Sequence, residues 1–359
     1  MEIEKTIKSQ DEFNTFYENE YKSKIDEYYK EFDKDKRKTE IEFLVISVII
    51  FGIYIYGVVL LSKVPGIFSL SLIGIIVISV IIVFGLFLKL KRCLKSKTTD
   101  ITKDILGFIT GDEDLFFERN QKISEESFNK MELFNLKELK YNGRNTIMTK
   151  YKDNNMSFSD MELYNYKTDI DEKIVYKEGK KYLRKTTRKI KKTFFDGCYI
   201  GAVLNKKIAD HIYLIPNNLN DTIVQRRLNN YINVSGEEII LENLEFSKKY
   251  KVYSKDQIQA RYILTLSLME RINKIDKIYD GKKYIVFKEG RRFVICIEGL
   301  SVGKILNNSL PLVRNNEKEH RVLMNIFTDL SKLFSIYDIL DLGNDVYTKY
   351  NWQCSLFNI

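Results

Sequence analysis

Apolar positions fall into three patterns along the chain. The first is unbroken: residues 43–61 and 67–88 hold no charge over 19 and 22 positions. A bilayer core takes about 20 helical residues, so either run is long enough to span one. At roughly −0.5 kcal/mol for each central Ile, Leu, Val or Phe, both insert with several kcal/mol to spare. A helix hairpin buried in a soluble protein keeps a polar side, and neither run has one. Ser62-Lys63-Val64-Pro65-Gly66 joins them. Pro-Gly is a turn dipeptide, so the expectation is a tight antiparallel hairpin. The first run follows 42 mostly polar residues, later than a cleaved signal peptide begins, which reads as a retained anchor.

The second pattern is helical. Phe13, Phe16, Tyr17, Tyr21, Ile25, Tyr28, Tyr29 and Phe32 recur at spacings of three and four. This predicts an amphipathic helix with an aromatic stripe. The stripe has two readings: packing on the downstream domain or a second copy, or anchoring of the rings among lipid headgroups.

The third pattern is mixed. Helices are expected over 101–109 and 124–139, and strands dominate after them. Strand signals lie at 156–166, 194–204, 212–215 and 238–241. Ile174-Val175-Tyr176-Lys177-Glu178-Gly179-Lys180-Lys181 and Ile285-Val286-Phe287-Lys288-Glu289-Gly290-Arg291-Arg292 read as hairpins turning on glycine. Ser254 with Gln257 and Ser267 with Glu270 read as capping boxes, putting a break near Thr265 in a helix over 257–273. A last helix is expected over 317–340. Helices and strands do not alternate regularly, which predicts an α+β fold: a transmembrane hairpin, then a domain with a mainly antiparallel sheet and flanking helices. The expected layout is an amphipathic helix over 1–42, the hairpin over 43–88, a basic connector over 89–123 and the α+β domain over 124–359.

Charge orients the hairpin. Lys24, Lys30, Lys34, Lys36, Arg37 and Lys38 precede the first run, and Lys89, Lys91, Arg92, Lys95, Lys97 and Lys103 follow the second, against Lys63 alone between them. The positive-inside rule puts both termini in the cytoplasm of a cell membrane crossed twice. Neither run contains Asp, Glu, Lys, Arg, His, Asn or Gln, so the pair reads as an anchor and not as an ion path. Lys- and Asn-rich usage with only three prolines suggests a bacterial, inner-membrane setting. The total charge of +9 is uneven: from residue 89 onward, 48 basic and 36 acidic residues give +12.

Several stretches resemble the bacterial DUF3137 family of membrane-anchored proteins. The segment from Tyr253 through Ser254, Lys255, Asp256, Gln257, Ala260, Arg261, Tyr262, Glu270 and Arg271 is similar to its helix signature. Ile240-Leu241-Glu242-Asn243-Leu244-Glu245-Phe246 resembles a second piece, in which the family usually has Pro at the place of Leu244. Phe195-Asp196-Gly197-Cys198-Tyr199-Ile200 with Leu204-Asn205-Lys206 resembles a Phe-x-Gly strand and Asn-Lys turn, and Phe158-Ser159-Asp160-Met161-Glu162 an earlier strand. The resemblance spans about 125–350. It implies the layout above and supplies no catalytic residues.

Candidate chemistry is sparse. Cys93, Cys198, Cys296 and Cys354 are far apart and fit neither a zinc site nor a dithiol; Cys198 and Cys296 sit in apolar runs and read as buried. His211 and His320 have no ligand-spaced neighbours, and His211 reads as a solvated or capping residue at a strand start. Phosphate loops, dinucleotide fingerprints and nucleophile elbows are missing, so no cofactor or metal is expected. Asp256, Arg261, Glu270 and Arg271 are the charged positions of the signature. Asp256 favours a first helical turn, Glu270 closes a cap, and Arg261 pairs with Glu242 or Glu245.

The most distinctive feature is electrostatic. Residues 173–192 carry Lys173, Lys177, Lys180, Lys181, Arg184, Lys185, Arg188, Lys189, Lys191 and Lys192 against Glu178 alone. A cytoplasmic leaflet is anionic, and each nearby basic residue contributes about 1 kcal/mol. The expected function is therefore a membrane-anchored interaction or surface-binding module, its basic face toward anionic phospholipid, with protein partners or self-association as further contacts. Tyr176, Tyr182, Phe194 and Phe195 flank the basic run, but no RNA- or DNA-binding module accompanies them, which argues against nucleic acid. The alternative is a membrane-tethered enzyme with an active site near Asp256, Arg261 and Glu270.

Overall fold

The computed structural model describes residues 8–61, 99–217 apart from 131, 138, 178 and 179, 232–306 and 315–342, with positions 77, 80–82, 84, 85, 88 and 89. The link 62–66 and most of the second apolar run lie outside the described residues, as do Cys93 and Cys354. The chain divides into two compact units, residues 1–105 with 306–328, and residues 106–305 with 329–359.

In the first unit, Ser9 and Glu12 form a reciprocal capping box that starts a helix at Gln10. The helix runs through Gln10–Phe16, a π-helical turn at Tyr17–Tyr21 and Lys22–Leu61. The buried stripe Phe13, Tyr17, Tyr21, Ile25, Tyr29 repeats every four residues, longer than the 3.6 of an α-helix. A wider π turn absorbs that excess and keeps Tyr17 and Tyr21 on one side. The rings pack on residues 99–105 and on the first half of the helix Asn316–Leu340. Phe13 stacks on Phe327 with centroids 4.4 Å apart. The Tyr17 hydroxyl donates to Glu319 Oε1 at 3.0 Å. Tyr21 and Tyr28 donate to Asp104 Oδ2 at 3.2 and 3.0 Å, and Lys24 pairs with Asp104 Oδ1 at 2.7 Å. Of the two readings of the stripe, this favours packing: most of its rings are buried within the chain, with Phe16 and Tyr28 half-exposed.

Beyond Phe32 the same helix changes character. Ile41, Leu44, Val45, Val48, Ile49, Phe51 and Ile53 are all exposed. Gln10–Gly57 is one helix long and apolar enough to cross a membrane by length and composition. Among the described positions of the second run, 77, 80–82, 84, 85 and 88 are helical, as is Lys89 directly after it. Lys89 is ion-paired with Glu42.

The second unit is built on one nine-stranded sheet. Its strands are β1 (Phe116–Glu118), β2 (Lys140–Tyr151), β3 (Asn154–Lys177), β4 (Lys180–Ile208), β5 (Ile212–Pro216), β6 (Glu237–Ile239), β7 (Tyr250–Ser254), β8 (Lys283–Lys288) and β9 (Gly290–Glu298). The spatial order is β1-β2-β3-β4-β9-β8-β5-β7-β6. Every pairing is antiparallel. The α+β expectation with a mainly antiparallel sheet therefore holds for this unit. One core gathers Phe128, Leu133, Leu139, Tyr141, Met161, Leu163, Phe195, Tyr284 and Val286. Elsewhere Tyr151 and Phe158 meet Phe334 of the last helix at centroid distances of 5.2 and 5.0 Å. Burial on both sides explains why β5 and β9 read as continuous apolar runs instead of alternating. The β8–β9 turn puts Gly290 at φ +93°, the left-handed conformation that glycine adopts without cost.

Two expected elements differ. The helix over 124–139 stops after one short segment, Glu125–Asn129, capped by the Ser124 side chain. Glu132 takes a left-handed φ of 55°, which breaks the helix, and Leu133, Phe134 and Leu139 then drop individually into the core. The break near Thr265 is present, but the caps belong to other residues. Asp256 caps Gln257–Ile263 and Thr265 caps Leu266–Ile278, while Ser254 ends β7.

Candidate functional site

The basic stretch lies on the longest feature of the sheet. β3 and β4 pair from Met156↔Ala202 to Lys177↔Lys180. Their other neighbours stop early: β2 pairs β3 no further than Tyr164, and β9 meets β4 only from Gly197 onward. Among the described residues, 165–177 and 180–192 therefore form a two-stranded ribbon bonded only to itself within the sheet. Thirteen paired positions at about 3.4 Å each give a ribbon of roughly 44 Å.

The ribbon holds every predicted lipid- or anion-binding residue. In register, Lys180 stands opposite Lys177, Lys181 opposite Tyr176, Arg184 opposite Lys173, Lys185 opposite Glu172, and Arg188 opposite Asp169. Lys189 faces Thr168, Lys191 faces Tyr166, and Lys192 faces Asn165. Lys185 pairs with Glu172 at 2.7 Å and Lys191 with Glu162 at 2.6 Å. The Lys185 pair is solvent-exposed and holds its side chains loosely, while Glu162 is half-buried. Hydrogen bonding to Glu162 pushes the Lys191 ammonium pKa up. At the ribbon's base, Lys191 lies over the Tyr164 ring at 4.2 Å, and Lys140 over Tyr166 at 5.0 Å.

Among the described residues, the signature positions act as caps and pairing partners or are exposed. Asn243 caps Leu244–Lys249 by accepting from Phe246 N at 3.0 Å. Leu244 then holds the first helical position, where a proline fits because its missing N–H has no helical partner. The Asp256 carboxylate accepts from Gln259 N at 2.9 Å, and Gln257 Nε2 donates to Glu237 at 3.2 Å. Arg271 donates to Asp341 Oδ2 at 2.8 Å and reaches the Leu340 carbonyl, a cation at the end of the last helix. Glu242, Arg261 and Glu270 are exposed. Arg261 makes neither expected pair, and Glu270 closes no cap because Thr265 does so. Tyr262 is also exposed, on the same helix as Ile258. Asp256, Arg261 and Glu270 share no hydrogen bond or ion pair, so the enzyme alternative gains no support.

Sequence reasoning missed the most fully satisfied buried carboxylate. Asp160 on β3 accepts from Val302 N at 2.6 Å, Gly303 N at 2.9 Å, Asn145 Nδ2 at 2.6 Å and Ser301 Oγ at 3.1 Å. It caps the helix Val302–Leu306 from a distant strand. Gly303 is required there, since a Cβ would lie 2.5 Å from Asn145 Nδ2 and 2.8 Å from Asp160 Oδ2. Asp160 does belong to a motif that the sequence singled out, but nothing in the motif's spacing announces a partner so far along the chain.

His211 corrects another expectation. It does precede β5, but it is buried and stacked on Tyr213, with Glu132 Oε2 at 3.9 Å and Asp210 Oδ1 at 3.8 Å. Cys198 and Cys296 are buried as expected, and burial pushes both thiols well above their ordinary pKa. No cluster of three metal-ligating side chains occurs among the described residues. A cleft of about 620 Å³ beside Glu132, Phe134, Lys137, Lys140 and Tyr164 mixes both charge signs.

The second unit thus defines an antiparallel α+β domain with a projecting ribbon. Residues 193–342 match the family model described as "Protein of unknown function (DUF3137)", so the resemblance read from the sequence holds over that stretch. The Phe-Ser strand at 158–162 and most of the ribbon precede it. No curated protein matches the chain. Among solved structures, the crystal structure of the mycobacterial trehalose monomycolate transport factor A, TtfA, aligns at 9% identity over 68% of this chain and 96% of its own, with a TM-score of 0.27. At that score the likeness carries no inference.

Proposed function

We propose that the chain is a membrane-anchored interaction module whose α+β domain docks on anionic phospholipid headgroups. In this reading residues 43–61 and 67–88 form a two-helix transmembrane hairpin, with both termini cytoplasmic. The docking residues are Lys180, Lys181, Arg184, Lys185, Arg188, Lys189, Lys191 and Lys192. The observation that carries it is the ribbon. Basic residues are concentrated on an element that, among the described residues, extends past its neighbouring strands and pairs only with itself, and at about 1 kcal/mol per basic residue near an anionic leaflet the sum is substantial. The hairpin is supported by the ion pair of Glu42 with Lys89, the two residues that immediately flank the apolar runs. Covalent attachment to the anchor makes docking intramolecular, so modest affinity suffices.

The test is hydrogen exchange of the full-length protein in nanodiscs of neutral and of anionic lipid. Amides of residues 165–193 should be slower in anionic discs, and high salt should remove the difference. Equal exchange in both discs contradicts the proposal.

A further inference from the structure

Antiparallel pairing places facing residues on the same side of a ribbon, and successive residues on opposite sides. One face of this ribbon therefore carries Tyr164, Tyr166, Thr168, Ile170, Glu172 and Ile174 from β3, with Lys185, Thr187, Lys189, Lys191 and Thr193 from β4. The other carries Asn165, Lys167, Asp169 and Asp171, with Thr186, Arg188, Ile190 and Lys192. The faces differ in kind. On the first, Tyr166, Ile170 and Ile174 are 45%, 58% and 51% exposed at a spacing of four residues, and lysines line the neighbouring strand. Both aspartates lie on the second. The ring contacts agree with this assignment, since Tyr164 and Tyr166 pack edge to face at 5.6 Å with Lys191 over Tyr164.

Resting on the lipid reading above, we infer that the ribbon is an amphipathic insertion element: Tyr166, Ile170 and Ile174 enter the headgroup–acyl boundary of an anionic bilayer while Lys185, Lys189 and Lys191 hold the phosphates. Three physical arguments favour this occupant. A free two-stranded ribbon is marginal in water and needs a surface on one face. Three of the exposed apolar residues, Tyr166, Ile170 and Ile174, share one face and Ile190 lies on the other, so the apolar side is the first face, with lysines at its margin as in an interfacial element. On the apolar face Lys185, Lys189 and Lys191 outnumber its one acid, Glu172, while both aspartates lie on the other face, which fits an anionic surface.

Depth of insertion tests the inference. In full-length protein with Trp352, the single native tryptophan, replaced by Phe, a reporter is introduced as Ile170→Trp, Ile174→Trp or, on the opposite face, Thr186→Trp. Each variant is placed in anionic nanodiscs whose lipids carry bromine near the headgroup end of the chain. An inserted face lies about 5–10 Å into the boundary, within reach of the quencher. I170W and I174W should lose several-fold more emission than T186W, and high salt should reduce the loss together with the amide protection, because the lysines bring the ribbon to the surface. Protected amides with no quenching at any position mean adsorption without insertion, which overturns this inference and leaves the lipid reading standing. Equal quenching of T186W overturns the face assignment. Neither protection nor quenching overturns both.

Discussion

Replacing Asp160 with Ala removes one acceptor that serves four donors. Val302 N, Gly303 N and Asn145 Nδ2 are buried, and Ser301 Oγ is partly so. A buried donor left without an acceptor costs about 1–3 kcal/mol. No other carboxylate caps this helix, and Gly303 leaves no room for a side chain to substitute. Three stranded buried donors, softened by water entering the vacated site, give a loss of roughly 3–6 kcal/mol. At about 2–4 °C per kcal/mol for a domain of this size, the melting temperature should fall by on the order of 10 °C. The assay is thermal unfolding of the full-length protein in detergent, with hydrogen exchange read over residues 302–306. Arg144→Gln is the control. Its Nε lies 3.9 Å from Asp160 on a side chain 71% exposed, and its removal should change stability by about 0.5 kcal/mol or less. If Asp160→Ala melts no lower than Arg144→Gln, with unchanged exchange at 302–306, the capping account is wrong.

Other expectations are smaller. Asp256→Ala should cost about 1 kcal/mol, the usual worth of an N-cap, visible as faster exchange at the start of Gln257–Ile263. Arg271→Ala should loosen the end of the last helix and raise exchange around Leu340, whereas Arg261→Ala should leave both stability and exchange unchanged. Asp112 accepts from Lys150 N and Thr149 Oγ1, and these bonds hold its carboxyl below the ordinary carboxylate range. Its contribution is complete above the ordinary pKa and is lost as pH falls through the lowered one. Asp112→Asn should therefore flatten the acid limb of a stability–pH curve, from about pH 4 downward. Cysteines placed at 42 and 89 should be joined within one chain by a short bifunctional maleimide.

Legibility followed the physics of each segment. The first apolar run, the aromatic stripe and the last helix were readable because long periodic patterns leave few alternatives. The two glycine hairpins were readable from turn chemistry, and the 257–278 region from its cap residues, though its caps fell on Asp256 and Thr265 instead of serines. β2 went unread: Lys140-Tyr141-Asn142-Gly143-Arg144-Asn145 is too polar to look like a strand, and it is held by its neighbours in the sheet. β7 was hidden inside the signature, where helix caps on either side dominate the pattern. The ribbon was visible as charge but not as geometry. Only the register shows that β2 and β9 stop short of it, and that Ile170 and Ile174 share a face with the lysines. Asp160 was illegible for the opposite reason, since three of its four donors lie 141 to 143 residues further along the chain.

The topology proposed above has two apolar helices with both ends of the polypeptide on the inner side of a membrane. Its most direct test is labelling of single cysteines in intact cells with a membrane-impermeant maleimide, on a background lacking Cys93 and Cys354. Ser62→Cys should label from outside, while Lys189→Cys should label only after permeabilisation. Labelling of Lys189→Cys in intact cells, or of Ser62→Cys only after lysis, contradicts it.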